Sequence, residues 1–140
     1  MLHDVSHPIY SGMPKAGPLA EVVVEPNLRL SAGDALDTSE IRIPSHAGTH
    51  IDAPSHAVPG GRTIDQIEVD RFIGPGVVSR VRREPGDLIT VADVLAGGPA
   101  PRQGDMVFLD TGWAAHFGSE QYYDAPSLDT ALATCWSRPG

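Results

Sequence analysis

The chain has 140 residues, with 10 Lys and Arg against 18 Asp and Glu, for a net charge of −8 with His neutral. That balance makes nucleic acid a poor partner, and the single cysteine, Cys135, excludes an internal disulfide framework or a Cys-rich zinc module. The 41 % hydrophobic share fits one globular domain over residues 1–140, while fifteen glycines and thirteen prolines oppose a helical bundle.

Taken in order, Leu2 to Ile9 reads as a strand ended by the turn Ser11-Gly12-Met13-Pro14. Glu21 to Glu25 is a second strand, closing at Pro26. Leu36 to Ile43 alternates imperfectly and leads into Pro44. Asp65 to Phe72 predicts a short helix, and Gly76 to Val81 a strand whose doubled apolar residues suit a sheet buried on both faces. Thr90 followed by Asp93 has capping-box spacing and opens a helix through Leu95, stopped at Gly97-Gly98-Pro99. Gly104-Asp105 turns into a core strand, Met106 to Asp110. Ser127 is expected to cap a last helix, Leu128 to Trp136. The expected fold class is α/β, a mixed β-sheet core with a few short helices. Apolar runs are too short for a membrane span, and no signal peptide is visible, so the cytoplasm is the expected compartment.

The chemistry concentrates in Ser45-His46-Ala47-Gly48-Thr49-His50-Ile51-Asp52-Ala53-Pro54-Ser55-His56, which holds three of the six histidines. His and Asp supply the nitrogen and oxygen donors that borderline divalent metals accept. His46, His50, Asp52 and His56 are separated by even offsets, which share one face of an extended backbone. Gly48 lies on that face, and its missing side chain leaves room for an ion between the flanking histidines. His46 and His50 are also an i, i+4 helical pair, but Pro44, Gly48 and Pro54 favour an irregular extended segment. Three protein ligands leave a position open for water, and a metal lowers the pKa of bound water from about 15.7 to about 7. His56, beyond Pro54, is placed to pass a proton to a departing amine. Thr49 offers a hydroxyl to orient a ligand.

Residues 46 to 56 match every fixed position of His-x-Gly-Thr-His-x-Asp-x-Pro-x-His, and the segment resembles the cyclase family of metal-dependent hydrolases, which includes bacterial kynurenine formamidases and isatin hydrolases. Asp4 to Pro14 resembles that family's opening strand and turn, Leu109 to Trp113 a later strand end, and Tyr123 to Leu128 the approach to its next helix. The resemblance implies a swivelling β/β/α-type domain, assembled as a homodimer or higher homo-oligomer. It implies one or two Zn²⁺ or Mn²⁺ ions held by His46, His50 and Asp52, with His56 as general acid/base. The implied reaction is hydrolysis of an amide bond in a small substrate such as N-formylkynurenine. Members of the family continue further and add a His and a Glu to the metal site. No such pair follows here before Cys135 to Gly140, so the expected fold is incomplete at its C-terminal end. The alternative is a truncated homologue that binds metal without turnover.

Trp113 is a candidate wall for an aromatic substrate, or ordinary core. His116 is expected on an exposed loop, and His3 and His7 are expected in polar contacts at a sheet edge. Cys135 has no evident base beside it. Gly74-Pro75-Gly76 is not a dinucleotide loop, and no Gly-x-Ser-x-Gly elbow occurs.

Overall fold

A computed structural model describes residues 4–137 of the chain. It is mixed α/β, with short strands in pairs and two short α-helices, and the residues fall into two compact units, Met1–Gln66 and Ile67–Gly140. Among the described residues no helix is long and apolar enough to cross a membrane.

In the first unit, β1 (Val23–Leu28) pairs antiparallel with β2 (Thr38–Arg42), Val24 opposite Ile41. β1 does not close at Pro26: it runs on to Leu28, with a register shift between the two. The pair has only two strands, so a residue without an N–H is tolerated on the open edge. Between the strands, the carboxylates of Asp34 and Asp37 accept the backbone N–H groups of Arg29 and Leu30 at 2.6 and 2.9 Å, shaping a single 3-10 turn.

The expected first strand is absent over residues 4–9, and residues 1–3, with His3, lie outside the described residues. Its backbone donors are engaged elsewhere. Ser6 N–H donates to Asp4 Oδ1 at 2.9 Å, and His7 N–H donates to Thr49 Oγ1 at 3.1 Å, so His7 meets the motif and not a sheet edge. The turn at Ser11-Gly12 is present. Ser11 Oγ accepts from Val24 N–H at 2.8 Å and donates to the Val24 carbonyl at 2.9 Å, pinning the turn to β1. Among the described residues of this unit, Met13, Val22 and Ala47 are the buried apolar ones.

Where one helix was expected there are two 3-10 turns, Ile64–Gln66 at the end of the first unit and Val69–Phe72 near the start of the second. β3 (Gly76–Arg80) follows, then β4 (Leu88–Ile89), α1 (Val91–Ala96), β5 (Met106–Asp110), β6 (Ser127–Leu128) and α2 (Thr130–Ser137). β3 runs parallel to β5, and β4 parallel to β6. Val81, Ile89, Val94 and Leu132 form the core, with Val91, Val107 and Leu109 packed against it. β3 is buried on one face only: Ser79 is enclosed and its hydroxyl donates to the Val94 carbonyl at 2.7 Å, whereas Val78 is 52 % exposed.

The capping box is present as expected. Thr90 Oγ1 accepts from Asp93 N–H at 3.3 Å, and the Asp93 carboxylate accepts from Thr90 N–H at 2.9 Å. Ser127 does not cap a helix. Its N–H donates to the Asp87 carbonyl and that of Asp129 to the Ile89 carbonyl, which commits Ser127–Leu128 to β6. α2 therefore starts later, with the Asp129 carboxylate accepting from Ala131 N–H at 3.4 Å.

Candidate metal centre

The segment from His46 to Ala53 is irregular and not helical, but neither is it one extended strand, and Pro54–His56 closes it as a 3-10 turn. Gly48 adopts φ 68°, a left-handed conformation that suits glycine and reverses the chain between the two histidines. A turn, not a shared strand face, brings the donors together. Where a Gly48 Cβ would stand, the Met13 methyl lies 3.5 Å away and Ile9 Cγ1 3.9 Å away. The stretch is held from outside by an antiparallel bridge between Lys15 and Ala47 and by the bond from His7 to Thr49.

Asp52 is the hub. Its Oδ1 lies 2.7 Å from His46 Nδ1 and 3.3 Å from His50 Nε2. One donor atom from each of His46, His50 and Asp52 lies within 4.8 Å of the others. A tetrahedral ion with ligand bonds near 2.0–2.1 Å separates its donors by about 3.3 Å. The spacing from His50 to Asp52 already has that value, whereas the contact from His46 to Asp52 is a hydrogen bond that has to open by roughly half an ångström to admit an ion.

His50 is oriented by its own backbone. Its Nδ1 lies 2.9 Å from the Gly48 carbonyl oxygen. A carbonyl only accepts, so Nδ1 carries a proton, and Nε2 is the nitrogen that faces Asp52. A backbone carbonyl fixing the tautomer of a ligating imidazole is the usual supporting arrangement around bound metals. For Asp52, partial burial opposes ionisation, but the hydrogen bond from His46 and the charges of His46, His50 and His56 outweigh it and hold the carboxyl below its ordinary range. The carboxylate is thus the ionised form that a cation requires.

Pro54 opens a 3-10 turn, Pro54–His56, at the position where a missing N–H costs nothing. The turn carries His56 back over the site, its ring centroid 3.9 Å from that of His46 with the planes tilted by 40°. A return loop closes it: Ser55 N–H donates to the Arg62 carbonyl at 3.1 Å, and Gly61 N–H to the Val58 carbonyl at 2.9 Å. The site is open to solvent, with the Asp52 side chain 56 % exposed.

In the second unit Trp113 is buried, and its indole N–H donates to the Tyr122 carbonyl at 3.1 Å. His116 is half-buried in the 3-10 helix Trp113–His116, its ring 4.7 Å from that of Trp113, and so is not the exposed loop residue expected. Cys135 is exposed. Sequence reading missed Met13 and the carbonyl of Gly48 as supports of the site. The glycine between two histidines was a signal for the second, but the first had none beyond its place in a turn.

Residues 3–138 match the family described as "Putative cyclase". Three curated relatives are named kynurenine formamidase. That of Paracidovorax citrulli (strain AAC00-1) is 33 % identical over 86 residues, covering 61 % of this chain and 40 % of the relative. That of Erythrobacter litoralis (strain HTCC2594) is 31 % identical over 91 residues, covering 65 % and 42 %. That of Salinibacter ruber (strain DSM 13855 / M31) is 30 % identical over 76 residues, covering 54 % and 30 %. The matched stretches thus span less than half the length of each relative.

Proposed function

Because the chain belongs to the cyclase family, we propose that it is a metal-dependent hydrolase of a carbon–nitrogen amide bond in a small substrate, of the kynurenine formamidase kind. The observation that carries this reading is the convergence of His46, His50 and Asp52 donor atoms within 4.8 Å, with the His56 ring beside them. The donor set of two imidazoles and an ionised carboxylate fits Zn²⁺ or Mn²⁺, one ion or two, which His46, His50 and Asp52 would hold. Such an ion supplies Lewis acidity toward a carbonyl oxygen when bound.

The chain's own groups do the rest. The Gly48 carbonyl keeps the proton of His50 on Nδ1, so that Nε2 stays available for ligation. Asp52 holds negative charge at the centre of the cluster. His56, on an exposed turn, takes a proton from water and delivers it to the nitrogen of the departing amine. We assign the natural substrate as N-formylkynurenine, split to kynurenine and formate, by extension from the relatives' names. The working assembly in this reading is a homodimer or higher homo-oligomer in the cytoplasm.

The test joins metal analysis of the purified chain to an N-formylkynurenine hydrolysis assay. The expected result is bound Zn²⁺ or Mn²⁺ and turnover that a chelator abolishes and the metal restores. Turnover undiminished by exhaustive chelation overturns the metal-dependent reading.

One observation favours a second reading, metal binding without turnover. Hydrolytic sites commonly exclude bulk water, and here Asp52 is more than half exposed. That reading predicts stoichiometric metal and no formate release.

A further inference from the structure

Among the described residues of the first unit Met13 is the largest fully buried side chain, at 1 % exposure, although it belongs to a turn and not to a regular element. Its backbone is fixed, with Met13 N–H donating to the Tyr10 carbonyl at 3.2 Å and Gly12 N–H to the Val22 carbonyl at 2.9 Å. Its terminal methyl lies under Gly48, 3.5 Å from where a Cβ would stand. Gly48 is midway between two donors, and its carbonyl orients the second of them. The neighbouring Ala47 is bridged to Lys15, two residues beyond Met13. The same short segment therefore props residues 47 and 48 from below and ties them at the side.

We propose that Met13 is a positioning residue for the metal-binding cluster: its thioether is the floor under Gly48 that sets the separation of His46 and His50. This rests on the metal-binding reading above. A methionine suits the task because it is unbranched and fills an irregular gap beneath a turn. Truncating it leaves a void into which the left-handed turn settles. The Gly48 carbonyl moves with the turn, and the His50 ring follows the carbonyl. Outer supports of this kind are typically worth 10- to 100-fold in metal affinity.

The experiment titrates Zn²⁺ into the metal-free 140-residue chain and into Met13→Ala, Met13→Leu and Val22→Ala. The last trims an equally buried side chain of the same unit while keeping the Val22 carbonyl that accepts from Gly12 N–H, so it reports general loosening. The expected result is a roughly tenfold weaker Kd for Met13→Ala, recovery to within about threefold for Met13→Leu, and no change for Val22→Ala. Where Met13→Ala does not fold, Met13→Val replaces it under the same criterion. Unchanged affinity in the truncated variant, or equal weakening in Val22→Ala, overturns the proposal.

A second readout separates this inference from the reading beneath it. In metal-free protein, imidazole ¹⁵N spectra report the contact of His46 with Asp52 and the tautomer of His50. Met13→Ala is expected to shift both signals while Val22→Ala leaves them in place. If the parent chain binds no Zn²⁺, the metal reading fails, and the spectra still decide whether Met13 positions the cluster.

Discussion

His50 Nδ1 lies 2.9 Å from the carbonyl oxygen of Gly48, two residues before it. That contact joins a backbone conformation to a ligand's protonation pattern, because the carbonyl that faces the ring belongs to a residue held at positive φ. Gly48→Ala is expected to destabilise the chain by about 1–2 kcal/mol, the cost of a left-handed residue with a Cβ. It should also weaken Zn²⁺ binding by tenfold or more. Calorimetric titration and urea unfolding of the metal-free chain separate the two effects. Unchanged affinity would show that the carbonyl does not set the tautomer.

His56→Ala tests the proton-transfer role. The variant is expected to retain its metal stoichiometry and to lose hydrolysis by a factor of about 10² or more, the usual contribution of a general acid/base. Rates equal to the parent's would remove His56 from the mechanism.

Gly61 lies against the turn that carries His56. A Cβ added there would stand 2.8 Å from the Pro54 carbonyl carbon and 2.9 Å from Ser55 N, and neither backbone atom can yield without moving the turn. Gly61→Ala is expected to lower kcat by about tenfold with metal content intact, since an ångström-scale misplacement near the chemistry costs about that much or more. A kcat unchanged within twofold would mean that the turn adapts.

Asp93 gives the chain an acid limit. The hydrogen bond from Arg83, then those from Thr90, hold its carboxyl far below the ordinary value of 3.8. With the folded value depressed, the stabilisation is complete above 3.8 and is lost as pH falls below it. Asp93→Asn is therefore expected to be less stable than the parent at pH 7, and the gap should narrow as pH falls below the unfolded value. Thr90→Ala should cost about 0.5–2 kcal/mol at neutral pH through loss of the cap. Urea denaturation across the pH series measures both. A gap independent of pH would refute the carboxylate's contribution.

Leu132 packs with Val81, Ile89 and Val94 at 1 % exposure. Leu132→Ala should destabilise by about 2–5 kcal/mol, combining lost burial with a residual cavity. Thermal unfolding checks it, and a loss under 1 kcal/mol would place α2 outside the core.

What the sequence by itself determined is what depends on near neighbours. The donor set His46, His50, Asp52 and His56 was legible because its chemistry and spacing lie within one short run. The capping box was legible because Thr90 and Asp93 satisfy each other. The strand from Met106 was legible from its own apolar run. Tertiary structure decided whatever needs a partner from elsewhere in the chain. Ser127 and Leu128 became strand and not helix because their ladder lies on Leu88 and Ile89. Residues 4–9 gave up a strand because His7 found Thr49. Met13 packs beside Gly48, and the donors converge through the turn there and not along a strand face. Local hydrogen bonds and composition can be read along a chain, but the distant groups that satisfy a backbone donor or fill a gap are chosen only when the chain folds.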